Sequence, residues 1–243
     1  MSGIHVSIAP ETVFHLFETI PVSNAVFTTI IVSALMVLFA LVIRASITFF
    51  PSSMQVFAEV IVGSLYDLTE NITGGNAKKF FPFIATFFLF ILFSNWAGLL
   101  PLLGIGIHED GKLIPFLRPA TTDINGTLAM ALISVLTAQY MGIKELGISM
   151  HISKYINLSS PINFFVVILE FVGEISKIIS FSFRLFGNIF AGEVLLSVMF
   201  FLFPLILPLP FLGLEIFVGF IQAAVFSILT LVFFQMAIEK PHH

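Results

Sequence analysis

The chain has 243 residues, 58% hydrophobic and only 10% charged, with a formal net charge of -4 and a mean hydropathy of +1.09. A soluble domain carries about 25% charged residues, so a water-soluble fold is excluded, and so small an acidic charge argues against nucleic acid as a partner. Cysteine is absent, which excludes disulfides.

Met1 to Pro21 holds Glu11, Glu18, His5 and His15 but no Lys or Arg. A secretory leader begins with positive residues, so no cleaved targeting segment is expected. The acidic start also predicts an N-terminus on the non-cytoplasmic side. Ala25 to Ile43 is an apolar run long enough for a hydrocarbon core of about 30 Å, and Arg44 closes it. From Ser52 to Glu70, Phe57, Val60, Ile61, Leu65 and Leu68 recur at helical spacing, while Gln55, Glu59, Asp67 and Glu70 fall mostly elsewhere. This pattern predicts an amphipathic helix at or partly in the membrane. Asn71 to Lys79, with Gly74-Gly75 and Lys78-Lys79, reads as a turn on the positive side.

Phe80 to Leu103 is the second span and Ile124 to Ile143 the third, with a polar connection between them that carries Lys112 and Arg118. His108, Glu109 and Asp110 in that connection are sequential neighbours, which seldom converge on one ion, so no metal is assigned. Lys144 and Lys154 flank the next connection, and Ser159-Ser160-Pro161 reads as a cap and first turn. Pro161 to Phe203 then runs without Pro or a Gly-rich turn, and as one helix it spans roughly 65 Å. Such a segment either breaks into two spans or tilts well beyond the usual ~20°. Pro204, Pro208 and Pro210 mark a turn before the last helix, Phe211 to Ile238.

With the long segment as one tilted helix, Arg44, Lys78, Lys79, Lys144, Lys154 and Lys240 fall inside and only Lys112 and Arg118 outside. That bias predicts five crossings and a C-terminus inside. The fold class expected is an all-α membrane protein of about five transmembrane helices plus an amphipathic interfacial helix, the last two helices long and strongly tilted. It forms a single polytopic domain over 1–243: an outer segment at 1–24, the first three spans and the amphipathic helix at 25–160, and a helical hairpin at 161–243. No internal repeat is evident, against an inverted-repeat transporter.

Steps of about 100° place Glu170, Gly173, Lys177, Ser180, Arg184, Asn188 and Ala191 on one stripe roughly 80° wide. A charge at mid-bilayer costs about 2.5–3.5 kcal/mol even on lenient scales, so this stripe faces protein or water. Ser or Asn alone is explained by an interhelical hydrogen bond. Arg184 is not, because guanidinium keeps its proton and no carboxylate stands three or four residues away on its helix. Its anionic partner therefore comes from another helix or another subunit. A carboxylate about 4 Å away gains roughly 4 kcal/mol at an effective dielectric near 20, enough to make a passing acid release its proton. Glu215, Gly219 and Gln222 lie within about 40° on the last helix. An antiparallel hairpin then pairs Arg184 with Gln222 and Glu193 with Glu215 by depth. Glu193, about 180° round its helix from Arg184, is expected to face a separate cavity.

The run Ser176-Lys177, then Phe183-Arg184-Leu185-Phe186-Gly187-Asn188-Ile189-Phe190-Ala191-Gly192-Glu193, closely resembles the signature of subunit a of F-type ATP synthases. Asn95-Trp96-Ala97-Gly98-Leu99-Leu100-Pro101, Pro119-Ala120-Thr121-Thr122-Asp123-Ile124-Asn125-Gly126-Thr127 and Ile221-Gln222-Ala223 extend the likeness along most of the chain. The resemblance implies a stator holding two tilted helices against a rotating ring of c subunits, with b-type peripheral stalk subunits and the remaining synthase subunits as further partners in the lipid bilayer. It implies that Arg184 faces the ring carboxylates between two offset half-channels, with Gln222 beside it. Glu193 would line the outer half-channel with Asp123 and Asn125 near its mouth, and Glu170, Glu174 and Lys177 would lie toward the inner side. One pattern in the family sets a His against the equivalent of Glu193, where this chain has Glu215; the two carboxyls are read as a protonatable pair. No cofactor is expected, and no Gly-rich phosphate loop of the Walker type is present.

The reading is thus a proton-conducting subunit of a bacterial inner membrane, not an enzyme in itself. A stand-alone secondary transporter using Arg184 to bind an anionic substrate, and a structural membrane scaffold, are the competing readings.

Overall fold

With no water in a bilayer core, backbone groups must bond within their own segment, and long apolar runs therefore become helices. The computed structural model describes residues 10–16, 20–100, 106–109, 112–115, 117–155, 161–203 and 206–239. Seven α-helices fall within them: α1 (Asn24–Ser46), α2 (Ser53–Thr73), α3 (Ala77–Ala97), α4 (Ile124–Leu146), α5 (Ile148–Tyr155), α6 (Pro161–Leu202) and α7 (Pro208–Ile238). Five stretches are long and apolar enough to cross a membrane: Asn24–Ser46, Ser53–Ala97, Ile124–Leu146, Phe164–Leu202 and Pro208–Ile238.

The longest of the seven helices, α6, settles one choice left open above. α6 is a single helix of 42 residues, which spans about 63 Å. Other boundaries shift for local reasons. The segment expected as a turn over Asn71 to Lys79 shrinks to a 3-10 turn at Gly74–Asn76, because α2 runs on to Thr73 and Lys78 and Lys79 already lie in the first turn of α3. Gly74, at φ +56°, is the residue that breaks the helix there. Pro208 and Pro210 belong to the first turn of α7, where the missing N–H groups have no helical acceptor to lose. α3 stops at Ala97, before the expected Leu103; the chain turns at Gly98, where the Pro119 ring lies so close that any Cβ would collide with it.

Two short antiparallel hairpins, unforeseen from the sequence, sit at helix ends: β1 (Thr12–Leu16) with β2 (Ile20–Ser23), and β3 (Gly106–Glu109) with β4 (Lys112–Pro115). Asp110 and the side chains of His108 and Glu109 lie outside the described residues, as do Lys240 and the serines expected to cap α6.

α7 forms the hub, packing against α3, α4 and α6. Phe181 of α6 wedges between Phe226 and Phe233 of α7, with ring centroids at 5.0 and 5.1 Å, and Leu185, Ala223, Phe88 and Ile91 complete the cluster. Apolar burial drives little association in lipid, so close backbones and hydroxyl pairs matter more. Ala131 and Ala223 are wholly buried, Thr127 Oγ1 lies 3.0 Å from Ser182 Oγ, and Ser134 Oγ lies 2.9 Å from Thr230 Oγ1. α2 folds back on α3, with Tyr66 edge-on to Phe81 and Leu65 in the central cluster.

Candidate functional site

α6 carries its charged residues at successive levels along the bundle, and three environments result. At one level Arg184 is exposed on the outside of the chain. Its guanidinium carbon lies 5.9 Å from the Phe181 ring centroid, and Nη2 lies 3.5 Å from Ser180 Oγ. Among the described residues no carboxylate forms an ion pair with it, in contrast to the other α6 cation, Lys177, which pairs with Glu174 at 2.5 Å. A permanent positive charge therefore projects from a membrane-length helix toward whatever covers that face.

One turn further along, Asn188 Nδ2 donates to Gln222 Oε1 at 2.8 Å. Gln222 thus meets Asn188, within a turn of the Arg184 level expected for it. Glu215 and Gln222 are both buried, at 8% and 4% exposure, so the polar face of α7 is turned into the bundle. Gly219 allows α3 to come close on that face. Asn95 Nδ2 donates to the Gly219 carbonyl at 3.3 Å and Trp96 Nε1 to the Ile216 carbonyl at 3.2 Å, which fixes α7 against α3.

Near one end of the bundle the Glu215 carboxyl lies directly against the backbone of Gly192, where a Cβ would overlap it. Glu193 is adjacent in sequence, and its charge acts on Glu215. Glu193, expected to face a separate cavity, has a partner on the connection before α4: its Oε2 accepts from Arg118 Nε at 3.3 Å and Nη2 at 3.2 Å. Arg118, expected on the outer side in a polar connection, has a side chain only 4% exposed. Asp123, also buried, caps α4, its Oδ1 accepting from the Asn125 backbone N–H at 2.9 Å and from Asn125 Nδ2 at 3.1 Å.

Toward the opposite end, where Lys79 of α3 pairs with Glu145 of α4 at 2.7 Å, a cavity of about 250 Å³ opens between α4, α5, α6 and α7. Glu170, Glu174 and Lys177 line it from α6, with Gln139 and His151 from α4 and α5. Lys177 Nζ also lies 4.9 Å over the Phe233 ring. His151, buried and 2.7 Å from Gln139 Oε1 through Nε2, was missed in the sequence because α5 was read as a plain connection. Arg118 had one available signal: Glu193, an acid within a membrane helix, needs a cation at its own depth.

Multiple membrane-length helices with charged and polar groups set along the α6–α7 hairpin mark a polytopic membrane protein with a functional polar path. The family model described as ATP synthase A chain matches residues 26–235. Relatives named ATP synthase subunit a agree. One from Geotalea daltonii is 35% identical over 94% of this chain and 95% of its own length. Another from Geobacter sulfurreducens is 33% identical over 93% and 94%, and one from Syntrophobacter fumaroxidans 33% over 99% and 94%. The chain belongs to the ATP synthase A chain family.

Proposed function

We propose that the hairpin of α6 and α7 forms two offset half-channels, and that Arg184 separates them by meeting the carboxylates of a rotating ring of c subunits. The observation that carries this reading is the exposure of Arg184 without a carboxylate partner among the described residues. A fixed charge at that depth is stable only against water or a second protein that supplies the anion. Arg184 also lies between the two polar clusters. Along the helix axis it stands about 10 Å from Lys177 and about 14 Å from Glu193.

In this reading Glu193 and Glu215 serve the outer half-channel, with Asp123 and Asn125 at its mouth. Glu170, Glu174 and Lys177 serve the inner one, and Ser180, Asn188 and Gln222 flank Arg184. A proton enters at one cluster, neutralises a ring carboxylate, rides the rotation and is expelled beside Arg184 into the other. Peripheral stalk subunits of the b type and the remaining synthase subunits hold the chain still in a bacterial inner membrane. The N-terminus lies outside and the C-terminus inside, in keeping with the Lys and Arg bias. A strong tilt of α6 and α7 fits helices of about 63 and about 46 Å to a core of about 30 Å.

Disulfide cross-linking in the assembled complex tests the placement of the ring. A cysteine at Ser180 or Asn188, both exposed on the Arg184 side, forms a disulfide with a cysteine set one turn from the ring carboxylate. A cysteine at Phe39, exposed on α1, forms none. Cross-linking from α1 and none from α6 contradicts the proposal.

A further inference from the structure

We propose that Arg118 is a positioning residue of the pathway, which clamps the ionised Glu193 carboxylate and releases it when Glu193 takes a proton for transfer to Glu215. This rests on the half-channel reading above.

The guanidinium is aimed by its surroundings. The Arg118 backbone N–H donates to Thr28 Oγ1 of α1 at 2.9 Å, Thr28 is itself anchored to the Asn24 carbonyl at 2.9 Å, and the Ala120 N–H donates to Ser94 Oγ of α3 at 3.0 Å. The loop is thus tied to α1 and α3, and its side chain reaches α6 from a fixed base. Two of its donors converge on one oxygen of Glu193. Arg118 is buried and Glu193 part-buried, and an ion pair so placed adds little stability over apolar side chains of the same volume.

Its neighbours point to a role. The Glu215 carboxyl of α7 lies against the backbone of Gly192, the residue before Glu193, so the Arg118–Glu193 ion pair stands beside a second carboxyl. Glu11, ahead of β1, adds a further negative charge that acts on Glu193, and Asp123 is engaged in capping α4. An ionised Glu193 is drawn to Arg118; a protonated one loses that attraction and its carboxyl is free to rotate. The transfer then balances: the O–H bond on Glu193 breaks, an O–H bond forms on the Glu215 carboxylate, and Glu193, again negative, returns to Arg118. Since a guanidinium has no proton to exchange near neutral pH, this clamp resets the donor without competing for the proton.

The test uses inverted membrane vesicles with the intact complex, and measures passive proton conduction against pH once the soluble sector is removed. Arg118→Gln is expected to lower conduction about tenfold or more and to displace its pH profile. Arg118→Lys, which keeps a positive charge, is expected to conduct within about threefold of the parent with a profile displaced by about half a pH unit or more, and it carries the test if the Gln variant fails to assemble. Arg118→Gln with Glu193→Gln is expected to conduct no worse than Glu193→Gln alone, because both remove one interaction. Unchanged pH profiles in the Arg118 variants, or losses that multiply in the double variant, overturn the proposal. Arg184→Ala run in parallel separates the two claims: if it abolishes ATP-driven pumping while the Arg118 variants behave as the parent, the clamp is wrong and the half-channel reading stands. If it pumps normally, the half-channel reading itself has failed.

Discussion

Asn188 Nδ2 donates to Gln222 Oε1 across 2.8 Å, and this bond joins α6 to α7 one turn from Arg184. Gln222 is buried, so Asn188→Leu strands its carbonyl and costs about 1–3 kcal/mol. The purified complex carrying Asn188→Leu is expected to melt earlier and to couple less well, whereas Asn188→Gln, which keeps an amide, loses less of both. Equal melting and pumping in the Leu variant and the parent would show that the bond does not hold the hairpin.

Gly192 provides the second prediction. A methyl group there overlaps the Glu215 carboxyl, so Gly192→Ala must push that side chain off the α6 backbone. Displacing a proton-relay group by about 1 Å is enough to slow transfer severely, up to about a hundredfold. Gly213→Ala on α7, where nothing beyond the local helix backbone lies within 4 Å of the added methyl, is the matched control and conducts normally. The idea fails if the two alanine variants conduct alike.

The third prediction concerns the two carboxyls. Glu193→Gln is expected to slow passive proton conduction strongly, Glu215→Gln to slow it less, and Glu215→His to move its pH dependence by exchanging a carboxyl for an imidazole. Glu170→Gln and Glu174→Gln, in the cavity toward the other end, leave that pH dependence in place. Undiminished conduction in the Glu193→Gln, Glu215→Gln double variant removes both residues from the pathway.

Much of this was legible in the sequence, and the exceptions have physical causes. The absence of Pro between Pro161 and Phe203 left either one long tilted helix or two spans, and α6 runs Pro161–Leu202 without a break. The helical spacing of Phe57, Ile61, Leu65 and Leu68 announced α2, although its end was misjudged because polar Asn71 and Asn76 look like loop residues and only the positive φ of Gly74 stops the helix. Arg184 stood out because its charge cannot be discharged within an apolar run. Arg118 did not, since a cation in a polar connection looks solvated until the fold folds that connection down between α1, α3 and α6. His151 was hidden in the same way, its burial arising from α5 packing against α4 and α6.

The account turns on Arg184 as a fixed charge facing another subunit, and the most direct measurement is ATP-driven proton pumping by membrane vesicles carrying Arg184→Ala or Arg184→Lys in the intact complex. Because the side chain is exposed and forms no ion pair among the described residues, both variants are expected to assemble at parental levels. Neither is expected to pump, since alanine removes the charge and lysine replaces a planar, permanently charged donor with a titratable point charge. Pumping close to the parental rate in either assembled variant contradicts the account.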